Sequence, residues 1–382
     1  MEIQGALEGI KVLDLSRMLP GPYCSMILAD HGAEVIAIED GRFKEDGLFF
    51  NDLNRNKHHM SLNLKTPEGK EIFYKLAEDA DIILEGFRPG VVKRLGVDYQ
   101  TVKKYNPRII YCSITGYGQT GPVSDRAGHD VNFLSMSGVL GLIGEKAGPP
   151  SIPGVQVADI AGGSMNSAVG ILLALYARER TGKGQYIDIS MTDGMIGFLS
   201  LPHYFSKLTG NQPRVADTLL SHRYGCYNTY ETKDGRYLSI GAVENRFWKR
   251  LCGYFNRTNY ISLQYDEGKR EEIIGFLREK FLTKNLVDWE KELSDLDVCY
   301  AGVQTLEGVL EDPLFRERGM VLEYPDSNGT PIRSFGIPVK LSETPGSIRT
   351  VPDEFGQSTR VILREAGYSK VQIDRFFADG VV

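Results

Sequence analysis

The feature that most limits what this chain can fold into is a rhythm in its first third. Short apolar runs alternate with amphipathic segments, and glycine or proline marks the junctions. Residues 10–15 (Ile-Lys-Val-Leu-Asp-Leu) read as a strand. Pro20-Gly21-Pro22 breaks it, residues 23–31 carry a helical apolar spacing, and Gly32 fits a helix C-terminal cap before a second strand over residues 34–39. A strand, a helix and a strand in that order favour a parallel sheet.

The pattern then repeats. Thr66-Pro67-Glu68 predicts a helix start, with Pro in the first turn and an acid near the positive end. Ile72, Phe73, Leu76 and Ala77 supply its buried stripe. Residues 81–85 and 108–113 read as strands, residues 163–178 as a long helix, and residues 185–190 as a further strand. Near Tyr224 the texture changes. Two alternating runs, residues 227–232 and 236–240, flank Asp234-Gly235 and predict a hairpin. Helical segments follow at about 245–253, 271–282 and 286–293, then a tail rich in Pro and Gly with a short helical stretch over 357–366. The expected fold class is α/β, with a large domain and a smaller α+β domain over about 225–330.

Composition narrows the function. The chain has 382 residues, 42% hydrophobic and 25% charged, with a formal net charge of −6. That is ordinary globular composition, with no basic block of the kind nucleic-acid binding needs. No basic-then-apolar leader opens the chain, and the best apolar run, residues 168–177, falls short of a membrane span. Cys24, Cys112, Cys226, Cys252 and Cys299 are widely spaced, without a Cys-x-x-Cys pair. Neither a disulfide scaffold nor a zinc site is expected, and the setting expected is the reducing cytoplasm. His58 and His59 are adjacent and would point to opposite faces of a strand, which argues against a metal there.

Several segments carry side chains suited to chemistry. Gly116-Tyr117-Gly118-Gln119-Thr120-Gly121-Pro122 follows a strand, where open α/β sheets bind ligands, but it lacks the dinucleotide and Walker patterns. Ala127-Gly128-His129-Asp130 offers an imidazole able to move a proton near neutral pH, or a structural histidine. Asp159 opens the long helix, either as its N-cap or as a carboxyl facing a cleft. Glu244 either caps the next helix or reaches a cleft. Lys65, Arg88 and Arg94 suit an anionic ligand, or simply solvated surface.

Together these segments resemble the family III CoA-transferases, and within them the racemases of α-methylacyl-CoA. The matching pieces are Gly21-Pro22, Leu64-Lys65, Gly86-Phe87-Arg88-Pro89-Gly90-Val91, Arg94-Leu95-Gly96, residues 115–122, Ala127-Gly128-His129-Asp130, Asp159-Ile160-Ala161-Gly162-Gly163-Ser164, Thr181-Gly182-Lys183-Gly184-Gln185 and Gly241-Ala242-Val243-Glu244. The resemblance implies an interlocked homodimer with a Rossmann-like large domain built from residues 1–200 and 331–382. It further implies the small domain at 225–330 and linkers at 200–224 and 330–350. The active site would lie between the large domain of one subunit and the small domain of the other.

The resemblance also implies the chemistry. The substrate is an acyl-CoA, with coenzyme A part of the substrate and no prosthetic group or metal. No nucleic-acid or membrane partner is implied. Asp159 matches the carboxylate that transferases use as nucleophile. His129 matches the racemase position that exchanges the α-proton with Asp159 across the α-carbon, and Glu244 a carboxylate supporting the His from the partner subunit. A carboxyl that returns a proton needs a raised pKa, and the enolate needs backbone N–H donors, expected near Asp130 and the start of the helix after Asp159. Lys65, Gly86, Phe87, Arg88, Arg94, Gly128 and Asp130 are the expected CoA-binding positions. Glu39-Asp40-Gly41 intervene before Arg42, so no adenine contact is assigned there. The expected function is a racemase of 2-methylacyl-CoA thioesters in fatty acid metabolism. The alternative is a CoA-transferase working through an Asp159 aspartyl-CoA thioester.

Overall fold

The structure, a computed structural model, describes residues 5–325 and 329–382. Residues 1–4, on which the leader reading partly rests, and residues 326–328, at the edge of the expected small domain, lie outside the described residues.

Strands β1 (Lys11–Asp14), β2 (Glu34–Glu39), β3 (Lys57–Ser61), β4 (Ile82–Glu85), β5 (Ile110–Thr115) and β6 (Tyr186–Ser190) form one six-stranded sheet in the order β3-β2-β1-β4-β5-β6. Every neighbouring pair is parallel. Leu13 lies opposite Ile36 on one side and Ile83 on the other. All residues of β4 and β5 are buried, which requires covering on both faces and explains why these strands read as continuous apolar runs. Helices α1 (Pro20–Asp30) and α2 (Pro67–Glu78) are crossovers of this sheet, each with Pro in its first turn. The Thr66 side chain caps α2 by accepting from the Gly69 N–H at 3.0 Å. Ile72, Phe73 and Ala77 are buried as expected, and Leu76 packs half-buried against the same cluster.

The chain divides into two compact units. The first comprises Met1–Ser137, Gly154–Gly197 and Leu314–Val382. Both ends of the chain build its core, because Ile362, Leu363 and Ile373 join Leu13, Met60 and Phe73 in one cluster. The tail holds more structure than its composition announces. A second helix, Lys370–Ala378, follows Thr359–Glu365, and an antiparallel ribbon pairs Val321–Pro325 with Pro331–Phe335. The missed helix has a readable start: Ser369 and Gln372 form a capping box.

The second unit comprises Gly138–Pro153 and Phe198–Pro313. The expected hairpin is present, with β7 (Tyr227–Glu231) antiparallel to β8 (Tyr237–Gly241) and Gly235 at φ +70° in the turn. A third strand, β9 (Tyr300–Gly302), joins β8. Helices Asn245–Tyr254, Arg270–Phe281 and Leu286–Leu293 bury Trp248, Phe281 and Trp289 against this sheet. Within the expected linker 200–224, Ser200–Thr209 is helical.

The long helix begins earlier than its apolar rhythm shows. It runs Ala158–Thr181, 24 residues, π-helical from Ala158 to Met165 and α-helical thereafter. The expectation from residues 168–177 is therefore revised: the full helix is long and apolar enough to cross a membrane by length and composition alone. One side of it is buried in the first unit through Ala168, Ile171, Ala174 and Leu175. Near its end the Arg178 guanidinium pairs with Asp81 at 2.8 Å.

Candidate active site

The strand order reverses between β1 and β4, so the chain leaves their carboxyl ends in opposite directions and opens a crevice there. A cleft of about 330 Å³ occupies this place. Its walls come from the segments after β1 (Ser16, Arg17), after β4 (Gly86, Phe87, Arg88) and after β5 (Gly116), and it receives Gly128, His129 and Asp159. A smaller cavity of about 50 Å³ adjoins it along Arg17 and Phe87, and is also lined by Arg42, Phe43 and Lys65.

The floor is held rigidly. Buried Asp14 accepts from the Ser16 N–H at 2.9 Å and from the hydroxyls of Ser16 and Ser25. Lys57 is fully buried, donates to the Pro22 carbonyl at 2.8 Å and lies 3.9 Å from Asp14. Burial pulls its pKa down to about 8 against the attraction of Asp14. A Cβ on Gly21 would meet the Ser16 hydroxyl at 1.8 Å, so only glycine fits that turn.

Asp159 sits at the second residue of the long helix. It is not the N-cap. The N-cap is Val157, whose side chain makes no cap bond, and Asp130 caps the helix from elsewhere in the chain: its Oδ1 accepts the N–H groups of Ala158 at 2.6 Å and Asp159 at 3.0 Å. Asp159's carboxyl is therefore not tied to its own helix start. Burial first, and the negative charge of Asp130 second, push its pKa up to about 6, while His129 pulls it down. The direction matches the sequence expectation. The Ala158 and Asp159 N–H groups are taken by Asp130, so the enolate donors expected there are not these two.

His129 precedes the short helix Asp130–Met136. Its N–H donates to Asn132 Oδ1 at 3.0 Å, and its carbonyl accepts from Asn132 at 2.8 Å. The exposed ring lines the cleft together with Asp159. Close packing sets the approach, since a Cβ on Gly128 would meet Phe133 at 2.6 Å and the Tyr117 hydroxyl at 2.8 Å. On the Asp159 side, a Cβ on Gly162 would strike the Met191 carbonyl at 2.5 Å. These glycines let backbone pack where side chains would block it.

The expected ligand positions separate by place. Gly86, Phe87, Arg88 and Gly128 line the main cleft, and Lys65 lines the smaller cavity with Phe87. Asp130 is buried and serves as the cap just described. Arg94, in the last turn of Val91–Leu95, lines neither cavity. Glu244 is in the second unit, exposed at the N-cap position of Asn245–Tyr254; its carbonyl accepts from Phe247 at 3.0 Å, but its carboxylate makes no cap bond.

Arg17 was not singled out in the sequence, yet it borders both cavities. It stacks over Phe43 at 3.7 Å and pairs with Glu39 at 2.6 Å and with Asp46. Its place immediately after the first strand is the signal that could have found it. Arg42, left unassigned above, also lines the smaller cavity and lies 4.4 Å from the Phe43 ring centre. Among the described residues no cluster of three or more His, Cys, Asp or Glu could hold a metal. His58 is exposed and His59 buried, on opposite faces as expected.

Comparison with known proteins decides the family. The sequence profile described as CoA-transferase family III matches residues 7–359. The chain belongs to CoA-transferase family III. This family III chain is 33% identical to human alpha-methylacyl-CoA racemase over 99% of its length and 97% of the racemase. It is 33% identical to mouse succinyl-CoA:glutarate CoA-transferase over 98% of its length and 90% of the transferase. A CAIB/BAIF family protein from Brucella suis superposes with TM-score 0.83 at 28% identity, over 95% of this chain and all of that one (100%). Rv3272 from Mycobacterium tuberculosis superposes with TM-score 0.80 at 26% identity, over 94% and 99%. The chain is an enzyme of this family, and its substrates are CoA thioesters.

Proposed function

We propose that Asp159 is the reacting carboxyl of an acyl-CoA site. The observation that carries this reading is its placement: a half-buried carboxyl on the cleft wall, released from capping by Asp130 and raised to a pKa of about 6. At neutral pH such a group is mostly ionised and able to attack, yet it takes up a proton readily.

Two reactions fit, and a different observation favours each. CoA transfer has the broader support from the comparisons: the family description names it, and several relatives are named CoA-transferases. In this reaction the Asp159 carboxylate attacks the thioester carbonyl and expels CoA thiolate, leaving a mixed anhydride. The thiolate attacks the Asp159 acyl carbon, releasing the first acid and leaving an aspartyl-CoA thioester. The incoming acid repeats the sequence in reverse. Racemisation of a 2-methylacyl-CoA is favoured by His129, whose ring shares the cleft with Asp159 and acts on its charge. One group would remove the α-proton and the other return a proton to the opposite face. Relatives named racemases accompany this reading.

Incubation with a 2-methylacyl-CoA in deuterated water, followed by hydroxylamine, tests both together. Deuterium at C2 with unmodified Asp159 supports racemisation. An Asp159 hydroxamate without deuterium supports transfer. Neither outcome in a protein that binds CoA would sink the assignment of Asp159.

The homodimer is part of the proposal. Met165, Val169, Leu172, Leu173 and Tyr176 form an exposed apolar stripe along one side of the long helix. A second copy covering this stripe, and supplying Glu244 to the site, would fit the interlocked arrangement. The cytoplasmic setting remains part of the same reading.

A further inference from the structure

Beneath the mouth of the cleft a row of polar side chains crosses three adjacent strands. Glu85 ends β4, its register partner on β5 is Ser113, and the partner of Ser113 on β6 is Asp188. In-register neighbours project to the same face, so the three stand side by side. The carboxylates at the two ends of the row each hold one loop of the cleft. Glu85 Oε2 accepts from the Phe87 N–H at 2.7 Å. Asp188 accepts from the Gln119 N–H with both oxygens at 3.1 Å. Between them Ser113 accepts from the Tyr186 hydroxyl at 3.0 Å.

Glu85 and Ser113 are 0% exposed. Among the described residues Glu85 Oε1 meets no hydrogen-bond partner. A charged, bare oxygen in the interior is costly, and a neutral carboxyl much less so. Burial, with the charge of Asp188 adding to it, pushes Glu85 up to about 7 against the opposing pull of the neighbouring Ser113 hydroxyl and the Phe87 N–H. Tyr111, Cys112, Tyr186 and Asp188 share its field, and none of them is cationic.

We propose that Glu85 is a positioning residue for the ligand: as the neutral acid it holds the turn that presents Phe87 and Arg88 to the cleft, and on losing its proton it loosens that turn. The inference rests on the acyl-CoA reading of the site. Ionisation strengthens the bond from the Phe87 N–H but leaves Oε1 charged and unpartnered, and because burial outweighs that bond the chain gains by letting the turn shift until water reaches the carboxylate. Affinity for an anionic ligand carried on that turn then falls as pH rises through neutrality. Glu85 itself never touches the reacting atoms.

The test is calorimetric titration with CoA between pH 6 and 8 on the wild type, Glu85→Gln and Asp188→Asn. Gln keeps an acceptor for Phe87 and stays neutral. If only the neutral form binds, the wild type weakens by up to about tenfold over this range. Glu85→Gln should match wild-type affinity at the acid end and lose that decline. Any titration of the CoA phosphate is common to both proteins, so the difference between them isolates Glu85. Asp188→Asn removes a charge that raises Glu85, so its decline should begin at lower pH, and this arm leaves Glu85 in place. A decline in Glu85→Gln as steep as in the wild type, or an unmoved onset in Asp188→Asn, overturns the proposal alone. A wild type that binds no CoA at any pH overturns it together with the acyl-CoA reading.

Discussion

Asp130 Oδ1 receives the backbone N–H of Asp159 at 3.0 Å, so one carboxylate caps the helix on which the other stands. The cap is also a nearby negative charge, and it raises the pKa of the group it positions. Structure and electrostatics are therefore joined at this pair.

Asp130→Asn keeps an acceptor but removes the charge. The Asp159 pKa should drop below about 6, moving the acid limb of a pH–rate profile to lower pH. Asp130→Ala removes the cap as well and should cost about 1 kcal/mol in urea denaturation. An acid limb that stays put in Asp130→Asn would mean that Asp159 is not the titrating group.

Asp159→Asn should be inactive yet more stable near neutral pH. The folded-state pKa of about 6 lies above the ordinary value of 3.8, so between these values the folded chain holds the proton more tightly. Stability consequently falls as pH rises through that window. Thermal melts should show a higher Tm for the variant at about pH 8, with the gap fading below about pH 4. A lower Tm at both ends would contradict the sign.

His129→Ala separates the two reactions. If racemisation operates, deuterium entry at C2 should fall by about a hundredfold or more, the usual worth of a general acid–base group, with CoA affinity little changed. If transfer operates, hydroxylamine trapping at Asp159 should persist. Loss of the imidazole should also raise Asp159 further, since His129 lowers it now.

Two glycines make a stability contrast. Gly275, in Arg270–Phe281, has nothing within 4 Å of a built Cβ, so Gly275→Ala should stabilise by about 0.5–1 kcal/mol through helix propensity. Gly162 is also helical, but its Cβ would meet the Met191 carbonyl at 2.5 Å. Gly162→Ala should destabilise by about 1–3 kcal/mol, because backbone cannot move aside as a side chain can. Chemical denaturation of the two variants reads both signs.

Leu173→Glu places a charge in the exposed stripe where Leu173 is 64% exposed. If a second copy covers that stripe, sedimentation velocity should show the wild type as a dimer and the variant shifted toward monomer. A monomeric wild type would remove the stripe from the dimer reading.

The sequence alone carried the parallel sheet and the hairpin about Asp234-Gly235, because strand period and turn chemistry are local properties; His129 and Asp159 are singled out by motif order, and their roles belong to the proposal. It did not carry the exchange of roles between Asp130 and Asp159. Which acid caps a helix depends on where a helix from elsewhere in the chain ends up, and a separation of 28 positions between Ala158 and its acceptor leaves no local mark. The last helix went unread because its capping box, Ser369 with Gln372, lies in a tail whose glycines and prolines mask it. Arg17 and Glu85 are ordinary charged residues beside strands until the sheet closes around them. Only tertiary structure sets Arg17 between two cavities and strips water from Glu85, because desolvation and charge proximity are properties of the packed chain and not of neighbours in sequence.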